Sequence, residues 1–114
     1  LAANVGTVAL RRGRSSYCPL MSAGVNWYEA SAEQEFYLEG DGRIQIVLTP
    51  ITGGAVREET LVLEGLPERP DRMTRLRLGM SMTGPDRIAV HLEDLGFGEL
   101  YPPSDRAWDF AVTL

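Results

Sequence analysis

The chain has 114 residues and a formal net charge of −5 at pH 7, and 44% of its residues are hydrophobic. This length suits one domain with a single hydrophobic core over residues 1–114 and leaves no room for a second domain. All 11 cationic side chains are arginines. Their dispersal and the negative net charge exclude a typical nucleic-acid-binding surface, which needs a net basic face.

The single cysteine, Cys18, cannot form a disulfide within the chain. Because disulfides persist in oxidising compartments, this composition favours a reducing, cytoplasmic location. The sequence contains neither a run of about 18 apolar residues nor a signal-like start, so it predicts no membrane association. The chain starts at Leu1 without an initiator methionine and ends in an apolar alternation at Leu114. We therefore expect it to be a piece of a longer protein.

The first half of the chain consists of short extended segments separated by turn residues. Apolar residues occupy every second position in Arg43–Thr49, which is the period of a strand with one buried face. Gly13 can adopt a positive φ and favours a hairpin turn after the first segment. Glu39–Gly42 contains two glycines and predicts another turn. The predicted strands are Val5–Leu10, Ser15–Leu20, Asn26–Leu38 and Arg43–Thr49.

The second half of the chain repeats this strand pattern, with stronger turn signals between the strands. The residues Thr83–Asp86 have the types that a tight turn needs, so a hairpin is predicted around them. Gly65–Pro70 carries two prolines, which cannot donate a ladder hydrogen bond, and it is predicted to be a crossing rather than a hairpin. Asp94–Pro103 is predicted to be a long loop. The predicted strands are Glu59–Leu63, Met73–Met82, Ile88–Glu93 and Arg106–Leu114.

About eight strands spaced at roughly 8 to 12 residues, without a convincing helix, are typical of a sandwich or barrel. We therefore predict an all-β fold, an antiparallel β-sandwich of about eight strands.

Catalytic and metal-binding residue sets are sparse in this sequence. His91 is the single histidine, and the alternation puts it on the polar face of its strand, where a structural role is expected. Cys18 lies in an apolar segment, where a buried and chemically inert thiol is expected. Glu39 and Asp41 offer carboxylates for a calcium ion, but Glu-Gly-Asp-Gly is more often a plain turn. The sequence predicts no enzyme and no cofactor.

Aromatic residues outside the core pattern are the remaining candidates for a binding surface. Trp27 and Tyr28 are adjacent, so on a strand one of them faces inward and the other outward. Tyr37 lies opposite Phe36 in the alternation and is predicted to face solvent. Phe97 and other loop aromatics are expected to anchor their loops.

The order of the central elements resembles the substrate-binding β-sandwich of Hsp70 (DnaK-type) chaperones. The resemblance rests on Leu63–Pro70, an alternating strand, and Gly84–His91 followed three residues on by Asp94. Asn26–Leu38 and Arg43–Leu48 stand where the third and fourth strands of that family would be. Asp94–Glu99 looks unlike the family, which suggests a divergent bacterial branch and the C-terminal part of an Hsp70-like parent.

The resemblance implies that extended apolar peptides bind in a cleft between loops, driven by ATP turnover in a separate N-terminal domain. The link Arg11–Arg14 departs from the family, because it is short and cationic where the family has a long apolar loop. Its arginines would favour an acidic partner. The residues that the resemblance places beside the cleft are Met21, Trp27, Tyr28, Phe36, Ile44 and Ile46.

Two alternatives stay open at this point. One is a generic intracellular β-sandwich that binds proteins without chaperone activity. The other is a carbohydrate-binding module, which would need a row of exposed aromatic residues beyond Tyr37.

Overall fold

The computed structural model describes residues 6–11, 17–21, 26–39, 42–50, 56–84 and 87–113. These residues form eight strands and one short 3₁₀ helix, Trp27–Glu29. In chain order the strands are β1 (Gly6–Arg11), β2 (Tyr17–Met21), β3 (Ser31–Tyr37), β4 (Arg43–Pro50), β5 (Arg57–Val62), β6 (Arg75–Gly84), β7 (Arg87–Gly96) and β8 (Ala107–Thr113).

The strands form two antiparallel sheets of four strands each. The first sheet has the order β2-β1-β4-β5 and the second has the order β3-β6-β7-β8. Because β5 and β6 belong to different sheets, the chain crosses between sheets at residues 63–74. The crossing predicted from Pro67 and Pro70 is therefore confirmed, and so is the hairpin pairing of β6 with β7.

The hydrophobic core lies between the two sheets. Alternate residues of β6 and β7 point into it, and Leu76, Leu78, Ile88 and Leu92 are completely buried there. Val8, Leu10 and Ile46 of the first sheet belong to the same cluster. The alternation seen in the sequence thus supplies one core shared by both sheets, as expected for strands with one buried face.

Strand boundaries differ from the predictions in two informative places. β7 continues past Glu93, because Asp94 and Gly96 still pair with β6, and the loop to β8 is correspondingly shorter than predicted. Trp27–Glu29 is a 3₁₀ turn where extended backbone was predicted, closed by a hydrogen bond from Glu29 N to Asn26 O of 3.0 Å. The predicted turns at Gly13, Gly40–Asp41 and Pro85–Asp86 lie outside the described residues.

The register places several connections at the same end of the molecule. Arg11 pairs with Gln45 and Tyr17, and Tyr37 pairs with Arg75. Consequently the links β1–β2, β3–β4, β5–β6 and β7–β8 all emerge at one end, which we call the loop end. The loop end is where the candidate site lies.

Candidate functional site

A buried ion pair holds the crossing segment in place at the loop end. Arg69 of the crossing donates from both terminal guanidinium nitrogens to the two carboxylate oxygens of Asp94, at 2.8 Å each. The side chains are 4% and 0% exposed, respectively. A bidentate pair of this kind is geometrically specific as well as strong. It therefore fixes the crossing against the end of β7.

Asp94 accepts further hydrogen bonds from the β7–β8 connection. They come from the Gly96 N–H at 2.9 Å, the Ser104 N–H at 3.2 Å and the Ser104 hydroxyl at 2.5 Å. Burial by itself raises the pKa of the Asp94 carboxyl, but the hydrogen bonds from Arg69, Ser104 and Gly96 hold that pKa well below its usual range. Asp94 is therefore an ionised structural centre joining two connections.

Arg69 also contacts the residues around it. It donates to the Thr74 hydroxyl and to the Pro102 carbonyl, at 3.3 Å each, and its guanidinium lies 5.8 Å from the centre of the Tyr101 ring. The hydrogen bond with Asp94 raises the pKa of Arg69, so the guanidinium stays charged. The two terminal guanidinium nitrogens of Arg69 are thus engaged within the protein.

We call the Arg69–Asp94 ion pair the clamp. Beside the clamp, an open cleft of about 660 Å³ runs between the crossing and the start of β4. Its apolar walls include Leu38, Leu63, Leu66 and Pro67, and Glu68 lies on its rim. Its volume is within the range of small-molecule and peptide sites. The clamp supports one wall of this cleft.

A smaller pocket of about 210 Å³ lies at the loop end between β3 and β4. It is lined by Phe36, Ile44 and Thr60, with Arg11 and Arg43 among its charged residues. Arg11 donates to Glu58 at 3.1 Å and to Gln45 at 3.2 Å. A pocket of this size can take one apolar side chain.

The outer face of the second sheet carries a charged row centred on His91. His91 Nδ1 lies 2.7 Å from Asp109 Oδ1, and Nε2 lies 3.1 Å from Glu93 Oε1. The hydrogen bond with Asp109 raises the pKa of His91, burial opposes this, and Glu93 raises it further. Both ring nitrogens of His91 are therefore engaged by carboxylates, one from β8 and one from its own strand.

Neither a metal-ligand cluster nor a membrane-spanning helix occurs in the described residues. Within them, no group of three or more His, Cys, Asp or Glu side chains is arranged to hold a metal ion. No helix in the same part of the chain is long and apolar enough to cross a membrane.

The structure divides the predicted site residues between the two ends of the molecule. Phe36 and Ile44 line the smaller pocket, although they are only 5% and 3% exposed, and Ile46 is completely buried beneath them. Tyr28 is 65% exposed and lies beyond the start of β3, at the opposite end. The side chains of Met21 and Trp27 lie outside the described part of the structure.

Two residues that organise the loop end were missed by sequence reasoning. The sequence pattern predicts a loop at Asp94 and an ordinary crossing at Arg69. The two residues are 25 positions apart along the chain. The one sequence signal for Asp94 was its position in the Hsp70 resemblance, and that signal did not indicate Arg69 as its partner.

The fold and the loop end together define an all-β domain of two antiparallel sheets with connections clustered at one end. The model of a family described as a domain of unknown function, DUF8552, matches residues 1–114, and the chain belongs to this family. A comparison with curated proteins gave no match.

Proposed function

We propose that this domain binds extended peptide or protein segments at its loop end, in the manner of the substrate-binding domain of an Hsp70-like chaperone. The observation that carries the proposal is the 210 Å³ pocket between β3 and β4, which Phe36 and Ile44 line. It lies where the β1–β2 and β3–β4 links emerge, which is where the resemblance implies a peptide cleft.

The order of elements supports the same proposal. A strand, a proline-containing crossing, two paired strands, an aspartate and a last strand follow one another as the resemblance implies. ATP turnover, in this proposal, belongs to a separate domain of the parent chain. The sequence of the link Arg11–Arg14 is short and cationic where the chaperones have a long apolar loop, so we expect modest affinity.

A second candidate function is protein binding without chaperone activity. It is favoured by the near closure of the pocket, because Phe36 and Ile44 expose so little surface to a flexible apolar peptide. A folded partner would instead contact the rim of the loop end.

The proposal is tested by titrating a panel of fluorescently labelled, extended apolar peptides with the domain and following fluorescence anisotropy. We expect saturable binding that Thr60→Trp blocks by filling the pocket.

The matched control is Val62→Trp, two residues along β5 on the same outward face. Val62 is 46% exposed and is not among the residues lining the pocket. Binding that both substitutions block equally, or that neither affects, would contradict a peptide site in this pocket. Absence of binding across the panel would favour the second candidate.

A further inference from the structure

β8 is an edge strand of the second sheet. It pairs with β7 on one side, and no strand in the part of the chain that the structure describes pairs with its other side. The open backbone groups of an edge strand are a template for pairing with another chain. The open edge of β8 is therefore a candidate surface for protein association.

The ladder with β7 determines which backbone groups of β8 point to the open edge. Asp94 N donates to the Arg106 carbonyl at 3.0 Å, at the start of this ladder. Hydrogen-bonded pairs alternate with non-hydrogen-bonded pairs along antiparallel strands, so the even-numbered residues of β8 bond to β7. The residues whose N–H and carbonyl groups point away from β7 are Ala107, Asp109, Ala111 and Thr113.

β8 has fewer of the features that protect sheet edges than the other edge strands. Charged residues and proline discourage pairing between edges. β2 contains Pro19, β3 contains two glutamates, and β5 contains an arginine and two glutamates. In β8 the one charged residue is Asp109, whose carboxylate lies 2.7 Å from His91 Nδ1. The Thr113 carbonyl accepts a hydrogen bond from Arg57, which partly covers the last residue of the strand.

The core side of β8 is incompletely covered at this edge. Trp108 and Phe110 pack against the core cluster but are only partly buried. Their neighbours on β7, Leu92 and Val90, are 0% and 1% exposed. A strand added beside β8 would cover the remaining surface of Trp108 and Phe110 and would extend the core.

The length of β8 selects one register for pairing with a second copy of itself. Phe110 is the middle residue of Ala107–Thr113, so a two-fold axis at Phe110 pairs the strand along its whole length. An axis at Asp109 would place two carboxylates directly opposite each other, which is unfavourable. An axis at Trp108 would bring Pro103, which has no N–H, into the ladder.

The side chains of β8 are complementary in the register centred on Phe110. Trp108 lies opposite Val112 on the core side, so apolar side chains meet there. Asp109 lies opposite Ala111 on the outer side, so no like charges face each other. The outward-pointing backbone groups of the two copies also meet as hydrogen-bonded pairs in this register.

We propose that β8 pairs antiparallel with β8 of a second copy of this chain, which joins the two second sheets into one continuous sheet across an axis at Phe110. The interface is isologous, because the same surface of each copy forms both halves of it. The open edge of β8 includes none of the residues that line the 210 Å³ pocket, so this proposal is independent of the proposed peptide site.

The test measures self-association of the 114-residue chain by sedimentation equilibrium over a range of concentrations. We expect a reversible equilibrium between monomer and dimer. Ala111 is exposed, so its substitution leaves the core undisturbed. Because residue 111 faces Asp109 of the second copy twice in each dimer, Ala111→Lys should lower the dissociation constant about fivefold and Ala111→Glu should raise it about fivefold.

The matched controls are Ser31→Lys and Ser31→Glu. Ser31 is exposed on β3, the opposite edge of the same sheet, so these variants make the same changes of charge away from β8. We expect the two controls to have the same dissociation constant as the unaltered chain. Far-ultraviolet circular dichroism establishes that all four variants are folded.

Three results would overturn the proposal. The first is a chain that stays monomeric at every concentration. The second is a dimer that Ala111→Lys and Ala111→Glu affect equally or not at all, because association would then use another surface or register. The third is an equally large difference between Ser31→Lys and Ser31→Glu, which would show that the effect reflects net charge rather than position on β8.

Discussion

The buried pair of Arg69 and Asp94 is the residue-scale feature on which the loop end depends. Asp94 is fully buried and accepts hydrogen bonds from three residues, so each of its oxygens is satisfied. A buried pair of this kind adds little net stability relative to apolar residues, but removal of one partner leaves an uncompensated charge. The pair therefore specifies the position of the crossing more than it stabilises the fold.

We predict that Asp94→Asn lowers the free energy of unfolding by about 3 to 5 kcal/mol, because Arg69 would stay buried and charged without its partner. Urea unfolding followed by circular dichroism measures the change. The control Glu35→Gln removes a carboxylate from an exposed pair with Arg75 at 3.7 Å and should cost less than about 1 kcal/mol.

A double variant, Arg69→Met with Asp94→Leu, should be more stable than Asp94→Asn alone, since it leaves no unpaired charge. Equal losses in Asp94→Asn and Glu35→Gln would show that the pair is not the anchor of the crossing.

In acid, the contribution of Asp94 to the free energy of unfolding should persist above its ordinary pKa of 3.8 and be lost as the pH falls towards the lower folded-state pKa.

His91 gives a second residue-scale prediction, on pH dependence. Because its folded-state pKa is raised above the ordinary 6.5, its stabilising contribution is fully present below pH 6.5 and is lost as the pH rises through the folded value. Asp109 and Glu93 face the ring, and Arg77 pairs with Glu93 at 3.5 Å. We predict that the domain gains stability relative to His91→Gln as the pH falls from about 8.5 to 6.

Thermal unfolding of both proteins across this range measures the difference. The exposed setting of the ring keeps the expected effect small, so the informative quantity is the slope of the difference with pH. A constant difference between the two proteins at every pH would contradict protonation of His91 as its cause.

At the scale of elements, Gly96 ends β7 and starts the connection that positions Phe97 and Tyr101. Its φ is +74°, and an added Cβ would collide with the Tyr101 carbonyl oxygen and lie 2.7 Å from Pro103 N. Both the backbone conformation and the close approach therefore require glycine. Gly98 also has a positive φ, of 56°, but a Cβ there meets open space.

We predict that Gly96→Ala lowers the free energy of unfolding by about 3 kcal/mol, from left-handed strain and overpacking together. Gly98→Ala, which has the strain without the collision, should cost only about 1 kcal/mol. Chemical denaturation of the two variants side by side measures both effects. Similar losses of unfolding free energy in the two variants would mean that the residues around Gly96 shift easily to accommodate the added Cβ.

At the scale of the whole molecule, the two sheets are joined by one core and by polar contacts at their edge. Arg57, which projects from β5 beside Glu59, also donates to the Thr113 carbonyl at the end of β8. Trp108 of β8 donates to the Glu64 carbonyl beyond β5. Because these contacts and the core connect both sheets, the domain should unfold as one cooperative unit.

We predict that Leu78→Ala lowers the free energy of unfolding by about 2 to 5 kcal/mol, since Leu78 is completely buried at the centre of the core. Leu100→Ala, at a side chain that is 73% exposed, should change it by no more than about 0.5 kcal/mol. Tryptophan fluorescence and far-ultraviolet circular dichroism should report coincident transitions for each variant. Separate transitions would show that the two sheets unfold independently.

The sequence by itself determined the elements of this protein. Alternation in β4, β6 and β7 identified those strands and their buried faces, because the side-chain period of a strand is independent of what it packs against. The two prolines of the crossing predicted the change of sheet, since they block continued pairing. The solvent-facing position of Tyr37 followed from the same alternation.

Only the tertiary structure decided which residues meet at the loop end. Arg69 with Asp94, and Tyr37 with Phe97, are pairs of residues far apart in the chain, and their contact depends on how the connections pack after the sheets form. Among the predicted site residues whose side chains are described, Tyr28 lies at the opposite end from Phe36 and Ile44. Periodicity reports which face of a strand is buried, whereas a site depends on distances between strands, which one-dimensional patterns do not contain.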